Sequence, residues 1–216
     1  MDISREHYET ILLSQEEGIA TITFNRPKLL NALSPQVMVE FDKALEAVLK
    51  DEGTKVVIIT GTGKAFSAGG DVLEDVSKVG EKTPFEYRDY IGNFCNAGKR
   101  LHWTEKPVIA AINGVTIGGG CDLAMLCDIR IASDKARFGY GYIRMGIISE
   151  LGGNYFLPRL IGLGRAKLFT FTGELIDAKR AEELGLVDQV VPDNEFDVRI
   201  KELARKLAKG PPRPSA

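Results

Sequence analysis

Two glycine-rich turns, each following an apolar run, constrain this chain more than any other feature. The run 56–61 leads to Ser67-Ala68-Gly69-Gly70-Asp71, and the run 107–112 leads to Gly118-Gly119-Gly120-Cys121-Asp122. Such apolar runs are typical of strands buried on both faces, and glycine lets backbone N–H groups approach a ligand closely. Each turn is predicted to open a helix, whose N-terminus adds partial positive charge. If the turns converge on one pocket, two N–H groups form an oxyanion hole, a pair of donors for one developing anion.

The remaining segments alternate between strand and helix patterns, which predicts an α/β fold. A β-hairpin is expected within 8–24, followed by a helix that begins at Pro35 with Ser34 as its N-cap. Further helices are expected at 155–171 with a break near Gly162, at 177–184 and at 195–208, and strands at 129–132 and 186–191. The two glycine-turn units resemble each other, which indicates a repeated ββα unit.

Composition narrows the class of protein. The 216 residues suit one domain, and 44% hydrophobic residues supply a core. A formal net charge of -2 gives no broad basic field, so neither nucleic acid nor a membrane is expected as a partner. The three cysteines, an odd number in apolar contexts, favour buried thiols in a reducing, cytoplasmic compartment. The two histidines, His7 and His102, are far apart, so no metal site is expected.

Several motifs, in this order along the chain, resemble the crotonase (enoyl-CoA hydratase/isomerase) superfamily. They are Asn25-Arg26-Pro27 with Asn31-Ala32-Leu33, the stretch 64–71, the stretch 113–123, and Thr172-Gly173 with Gly185-Leu186-Val187-Asp188. The resemblance implies a crotonase-like spiral of repeated ββα units over 1–192, with the start of a helical C-terminal region at 193–216. It also implies an acyl-CoA substrate, with coenzyme A as part of the thioester and no separate cofactor.

The resemblance also bears on assembly. Members of the superfamily usually form trimers, or dimers of trimers, with the help of a helical C-terminal segment of a few dozen residues. This sequence ends at Ala216, where that segment would begin. We therefore expect a homo-oligomer that is less stable than the family trimer.

By position, the resemblance assigns the oxyanion-hole donors to the backbone N–H groups of Gly70 and Gly119. It also implies a set of substrate-binding residues around the two turns. These are Ala32, Ala68, Gly70, Asp71, Val72, Leu73, Gly119 and Tyr142.

The acid–base positions depart from those of the family's hydratases, which pair two glutamates. Here the first position holds Asp122 and the second holds Tyr142, which cannot act as a carboxylate base. Asp122 either reaches the substrate or serves as a first-turn carboxylate stabilised by the helix dipole. Glu150 follows eight residues after Tyr142, at or near the place where the family's isomerases carry a catalytic Glu or Asp. One carboxylate can remove a proton from one carbon and return it to another.

The leading expectation is therefore an enoyl-CoA isomerase, an enzyme that shifts a double bond, with Glu150 as the proton shuttle. The alternatives within the superfamily are enoyl-CoA hydration, or hydrolysis of a carbon–carbon bond, through Asp122. A non-catalytic or RNA-binding member is the alternative from another class, although RNA binding would need a basic stripe that the sequence does not show.

Overall fold

Two sheets organise the protein in a computed structural model, which describes residues 7–72 and 76–210. The larger sheet contains, in order across it, β1 (Ile11–Glu16), β2 (Ile19–Phe24), β3 (Val56–Gly61), β5 (Val108–Ile112), β7 (Ile129–Ser133) and β10 (Gln189–Val191). The smaller sheet contains β4 (Ala65–Ser67), β6 (Val115–Ile117), β8 (Arg137–Gly139) and β9 (Leu175–Asp177). The pairs β1–β2 and β8–β9 are antiparallel, and the other neighbouring strands are parallel.

Helices connect and cover the strands. They are α1 (Pro35–Lys50), α2 (Pro84–Trp103), α3 (Gly119–Leu126), α4 (Gly153–Ile161), α5 (Leu163–Thr172), α6 (Ala178–Leu184) and α7 (Phe196–Ala208). Short 3-10 turns occupy Pro27–Leu29, Val76–Glu81, Gly141–Met145 and Asp193–Glu195.

The chain advances as a spiral. Each of the strand pairs β3–β4, β5–β6 and β7–β8 places its first strand in the larger sheet and its second in the smaller sheet. The helices α2, α3 and α4 follow these pairs in turn. The α/β class and the repeated ββα unit that the sequence predicts are therefore confirmed.

Local chemistry explains the element boundaries. Glu17 and Gly18 connect β1 to β2 with φ values of 52° and 76°. Positive φ at both positions is typical of the two-residue turns that close tight β-hairpins. Ser34 accepts a hydrogen bond from the Val37 N–H at 3.4 Å and caps α1, as predicted. Gly162, with φ of 83°, separates α4 from α5 at the expected break.

The central strands β3 and β5 of the larger sheet are buried on both faces. Val57 and Ile59 of β3 pack into the main core with α1, whereas Val56 and Ile58 pack against Phe196 of α7 and its neighbours. The continuous apolar runs of β3 and β5 follow from this double burial. Because β4 and β6 are hydrogen-bonded neighbours, the glycine turns that follow them come out side by side.

Candidate active site

The two glycine turns meet closely enough to exclude a side chain. Gly69 has φ of +83°, and a Cβ there would lie 2.6 Å from the Ile117 carbonyl oxygen and 3.2 Å from the Gly119 nitrogen. Real Cβ atoms do not approach backbone atoms this closely, so glycine is required for the contact between the turns. The convergence that the sequence predicts is present.

The backbone N–H groups of Gly70 and Gly119 have no hydrogen-bond acceptor among the residues that the structure describes. Leu33 forms a β-bridge with the first turn, on either side of Gly70. Its N–H donates to the Gly69 oxygen at 2.8 Å, and its oxygen accepts from the Asp71 N–H at 3.1 Å. This bridge leaves the Gly70 N–H unused, and Gly119 lies at the first position of α3, where no intrahelical acceptor exists. Within residues 7–72 and 76–210, neither N–H donates a backbone or side-chain hydrogen bond. Two free donors therefore stand at the junction of the turns.

The second turn opens α3, as predicted, with Gly118 as its N-cap. The first turn differs, because no α-helix begins at the described residues 70–72. The next described helical segment is the 3-10 turn Val76–Glu81, and α2 begins only at Pro84. The described residues 70–72 therefore do not themselves begin a helix, in contrast to the second turn.

A cavity of about 760 Å³ lies over the two turns. Its floor consists largely of glycine backbone, including Gly69, Gly70, Gly118 and Gly119. Aromatic rings of α2 form one wall, namely Tyr87, Tyr90 and Phe94, whose neighbouring centroids lie 6.0 and 5.2 Å apart. Most residues of the segment 141–148 also line the cavity, and Ile147 and Ile148 are among them. A cavity of this size, mostly apolar with few polar groups, is typical of a small-molecule site.

Glu150 is the carboxylate among the described residues that line this cavity. It is half-buried in the loop between the 3-10 turn and α4. Tyr87 of the aromatic wall donates a hydrogen bond from its hydroxyl to Glu150 Oε1 at 3.2 Å. A carboxylate oriented by a hydroxyl and facing an apolar cavity has the setting of a general base.

Asp122, in contrast, is closed off from the cavity. Its exposed fraction is 0%, and its two oxygens accept three hydroxyl hydrogen bonds. Oδ2 accepts from Tyr142 at 2.5 Å and from Ser149 at 2.7 Å, and Oδ1 accepts from Tyr140 at 3.1 Å. Burial raises the pKa of Asp122 from its usual 3.8 to about 6, although the Tyr142 and Ser149 hydrogen bonds oppose that rise. Burial and the nearby Asp122 charge also raise the pKa of the Tyr142 hydroxyl, which stays a donor.

The other predicted substrate-binding residues divide into two groups. Ala68, Gly70, Val72, Gly119 and Tyr142 line the cavity. Asp71 and Ala32 do not line the cavity and are instead hydrogen-bonded to Arg26. Arg26 Nη1 donates to Asp71 Oδ2 and to the Ala32 oxygen, each at 2.9 Å. Leu73 lies outside the described residues.

Tyr87, Ser149 and Tyr140 are site residues that sequence reasoning missed. The spacing of Tyr87, Tyr90 and Phe94 at i, i+3 and i+7 indicates one helix face, and this signal could have placed Tyr87 on the cavity wall. No local pattern marks the other two residues, since Ser149 and Tyr140 meet Asp122 across 27 and 18 residues of sequence.

Two further observations concern metals and membranes. Among the described residues, no three His, Cys, Asp or Glu side chains come together as a metal site would require. None of the described helices combines the length and the hydrophobicity that crossing a membrane demands.

Comparison with known proteins gives consistent matches. The enoyl-CoA hydratase/isomerase family model matches residues 14–216. The short-chain-enoyl-CoA hydratase of Clostridium acetobutylicum is 42% identical over 205 residues, which cover 94% of this chain and 76% of the relative. The crotonyl-CoA hydratase of Syntrophomonas wolfei is 41% identical over 207 residues, which cover 94% of this chain and 77% of that protein.

A solved structure supports the same relationship. The crystal structure of an enoyl-CoA hydratase from Bacillus anthracis superimposes with a TM-score of 0.87 at 36% identity, covering 94% of this chain and 78% of that one. The crotonase-like fold expected from the motifs is therefore confirmed. Both of these relatives are named as hydratases, whereas the motifs of this chain predict a double-bond shift.

Proposed function

Since the chain belongs to the enoyl-CoA hydratase/isomerase family, we propose that it acts on an unsaturated acyl-CoA thioester bound in the 760 Å³ cavity. The N–H groups of Gly70 and Gly119 bind the thioester oxygen, and Glu150 moves the proton. Asp122 does not exchange protons with the substrate. The favoured reaction is the shift of a double bond, and hydration is the second candidate.

The two free N–H groups suit the charge that this chemistry develops. Removal of a proton next to the thioester carbonyl leaves the electron pair on the thioester oxygen as an enolate. Gly70 and Gly119 present two donors at the floor of the cavity, and no acceptor in the described part of the chain competes for them. Each preorganised donor contributes about 3 kcal/mol in comparable acyl chemistry, so the pair supplies a large share of the rate enhancement.

The choice of reaction depends on the number of carboxylates that line the described part of the cavity. Glu150 is the carboxylate lining the described part of the cavity, while Asp122 is 0% exposed and Tyr142 has no carboxylate. In a double-bond shift, a carboxylate takes a proton from C2 of a 3-enoyl thioester and the electrons pass to the thioester oxygen. The same group returns the proton to C4 as the double bond forms between C2 and C3. No water is consumed, so one carboxylate is sufficient.

Hydration is favoured by the names of the Clostridium and Syntrophomonas relatives, which are called hydratases. In that reaction Glu150 accepts a proton from a water whose hydroxide adds to C3, and the protonated Glu150 then returns that proton to C2. One carboxylate, Glu150, would orient this water. Tyr142 occupies the position at which the family's hydratases carry a second glutamate, so a second carboxylate is missing there. We therefore expect slow hydration beside a faster double-bond shift.

One set of rates tests this proposal. A 3-enoyl-CoA and a 2-enoyl-CoA are each incubated with the wild type, Glu150→Gln and Asp122→Asn, and isomerisation and hydration are measured. Glu150→Gln, which has nearly the same shape, should lose about a thousandfold or more in kcat on the preferred substrate. Asp122→Asn should lose far less.

The outcomes separate the candidates. Faster isomerisation than hydration in the wild type, abolished by Glu150→Gln, supports the double-bond shift. Brisk hydration that depends on Glu150 supports the second candidate. Brisk hydration abolished by Asp122→Asn alone contradicts the assignment of Glu150, and a wild type inactive on both substrates contradicts the proposed reactions.

A further inference from the structure

Asp122 connects the two halves of the candidate active site. It lies three residues after Gly119 in the first turn of α3, so its backbone belongs to the element that presents one oxyanion donor. Its Oδ2 accepts from Tyr142 and from Ser149 at 2.5 and 2.7 Å. The Tyr142 hydroxyl in turn lies close to Gly119, where an added Cβ would be 3.8 Å from that oxygen.

Ser149 links Asp122 to Glu150, because it bonds to Asp122 and directly precedes Glu150 in the chain. Its hydroxyl donates to Asp122 and also accepts from the backbone N–H of Gly153 at 2.9 Å. Gly153 is the first residue of α4, so Ser149 ties the loop that carries Glu150 both to α3 and to α4. The backbone of Glu150 therefore begins next to a residue whose side chain is hydrogen-bonded to both α3 and α4.

The Asp122 cluster is tightly packed. A Cβ at Gly153 would overlap both Asp122 Oδ1 and the Tyr140 hydroxyl oxygen, and Asp122 has no exposed surface. Neither a substrate nor a water has space beside the Asp122 carboxylate without a rearrangement of the loop. A buried, fully hydrogen-bonded carboxylate of this kind rigidifies its surroundings.

We propose that Asp122 is a positioning residue, which fixes the Glu150 carboxylate relative to the Gly119 N–H through its hydrogen bonds to Ser149 and Tyr142. The predicted effect of Asp122 on the reaction rate rests on the proposed function. Its predicted effect on the position of Glu150 does not. A displacement of reacting groups by about 1 Å can lower a rate by about a hundredfold, so a rigid link of this kind has catalytic value.

The positioning role predicts a pattern that a proton-carrying role does not. An asparagine at 122 can turn its amide oxygen toward Tyr142 and Ser149 and its NH₂ toward the Tyr140 hydroxyl, which can accept. Asp122→Asn should therefore keep the link and most of the kcat. Asp122→Ala removes the link and should lower kcat by about a hundredfold with KM little changed. Ser149→Ala removes one bond of the link and should lower kcat by about tenfold.

The experiment compares these three variants, the double variant Asp122→Ala/Ser149→Ala and the wild type. The measurements are kcat, KM, thermal unfolding and the enolate absorbance of bound acetoacetyl-CoA, which reports on the donors and base without turnover. Asp188→Ala is the matched control, since Asp188 holds Arg130 with hydrogen bonds of 2.7 and 3.0 Å but does not line the cavity. It should lose stability and keep kcat and the enolate absorbance.

The proposal predicts that the double variant is no slower than Asp122→Ala, because both substitutions break one link. Enolate absorbance should fall in Asp122→Ala and Ser149→Ala and persist in Asp122→Asn. The proposal would be overturned if Asp122→Asn and Asp122→Ala were equally inactive while Ser149→Ala kept the wild-type kcat. That result would make Asp122 the proton carrier. Wild-type kcat and absorbance in folded Ser149→Ala would also overturn it. If the wild type converts neither enoyl-CoA, the proposed function fails, and the absorbance series still decides the positioning role.

Discussion

The N–H of Gly119 can be removed with little other change, and this provides a sharp test of the oxyanion hole. Gly119 is the first residue of α3, the helical position at which proline is best tolerated. A Cβ there would meet Leu33 Cδ1 at 3.2 Å, a contact that the end of a flexible side chain can relieve, and otherwise nothing nearer than 3.8 Å. Gly119→Ala and Gly119→Pro both add this Cβ, but only proline deletes the donor.

We expect Gly119→Pro to have a kcat about a hundredfold to a thousandfold below that of Gly119→Ala. This corresponds to the loss of about 3–4 kcal/mol of transition-state stabilisation from one preorganised donor. Initial rates with the preferred enoyl-CoA give kcat and KM for both variants, and thermal unfolding checks that α3 remains folded. KM is needed because the proline ring places a carbon where the amide hydrogen was. A folded Gly119→Pro protein with the kcat of Gly119→Ala would refute the assignment of this donor.

Two further predictions concern the carboxylates. Tyr87→Phe should lower kcat about fivefold relative to the wild type in steady-state assays, because Glu150 loses the hydroxyl bound at 3.2 Å. Because burial raises the pKa of Asp122 from 3.8 to about 6, this carboxyl group binds more protons in the folded protein than in the unfolded chain between these pH values. The contribution of Asp122 to the free energy of unfolding should therefore fall by about 3 kcal/mol as pH rises from about 4 to about 7, and urea titrations should show it as the difference between the pH slopes of the wild type and Asp122→Asn. Equal slopes in both proteins would contradict the buried, protonatable state of Asp122.

The sequence predicts the larger elements well, because their signals are local. Ser34 and Pro35 mark the start of α1, Gly162 marks a helix break, and the apolar run of β3 indicates a strand buried on both faces. The smaller sheet was not predicted strand by strand. Its four strands have three residues each, too few for an alternating pattern to be recognised.

The candidate site was predictable where it depends on backbone, and less so where it depends on side chains from distant segments. Gly70 and Gly119 follow from the repeated strand–turn pattern, and Glu150 from its position in the family motif. The closed environment of Asp122 does not follow from sequence, since its three hydroxyl partners lie 18 to 27 residues away along the chain. The same holds for Tyr87, which lies 63 residues before Glu150.

A structure of the protein with a non-reactive acyl-CoA analogue tests the central claim most directly. The decisive distances are those from the thioester oxygen to the Gly70 and Gly119 nitrogens, and from the Glu150 carboxylate to C2. We expect the oxygen to lie about 3 Å from both nitrogens, and a Glu150 oxygen to lie about 3–3.5 Å from C2, with Asp122 still bound by its hydroxyl partners. An analogue whose C2 lies beside Asp122, or whose thioester oxygen contacts neither glycine, would contradict the account.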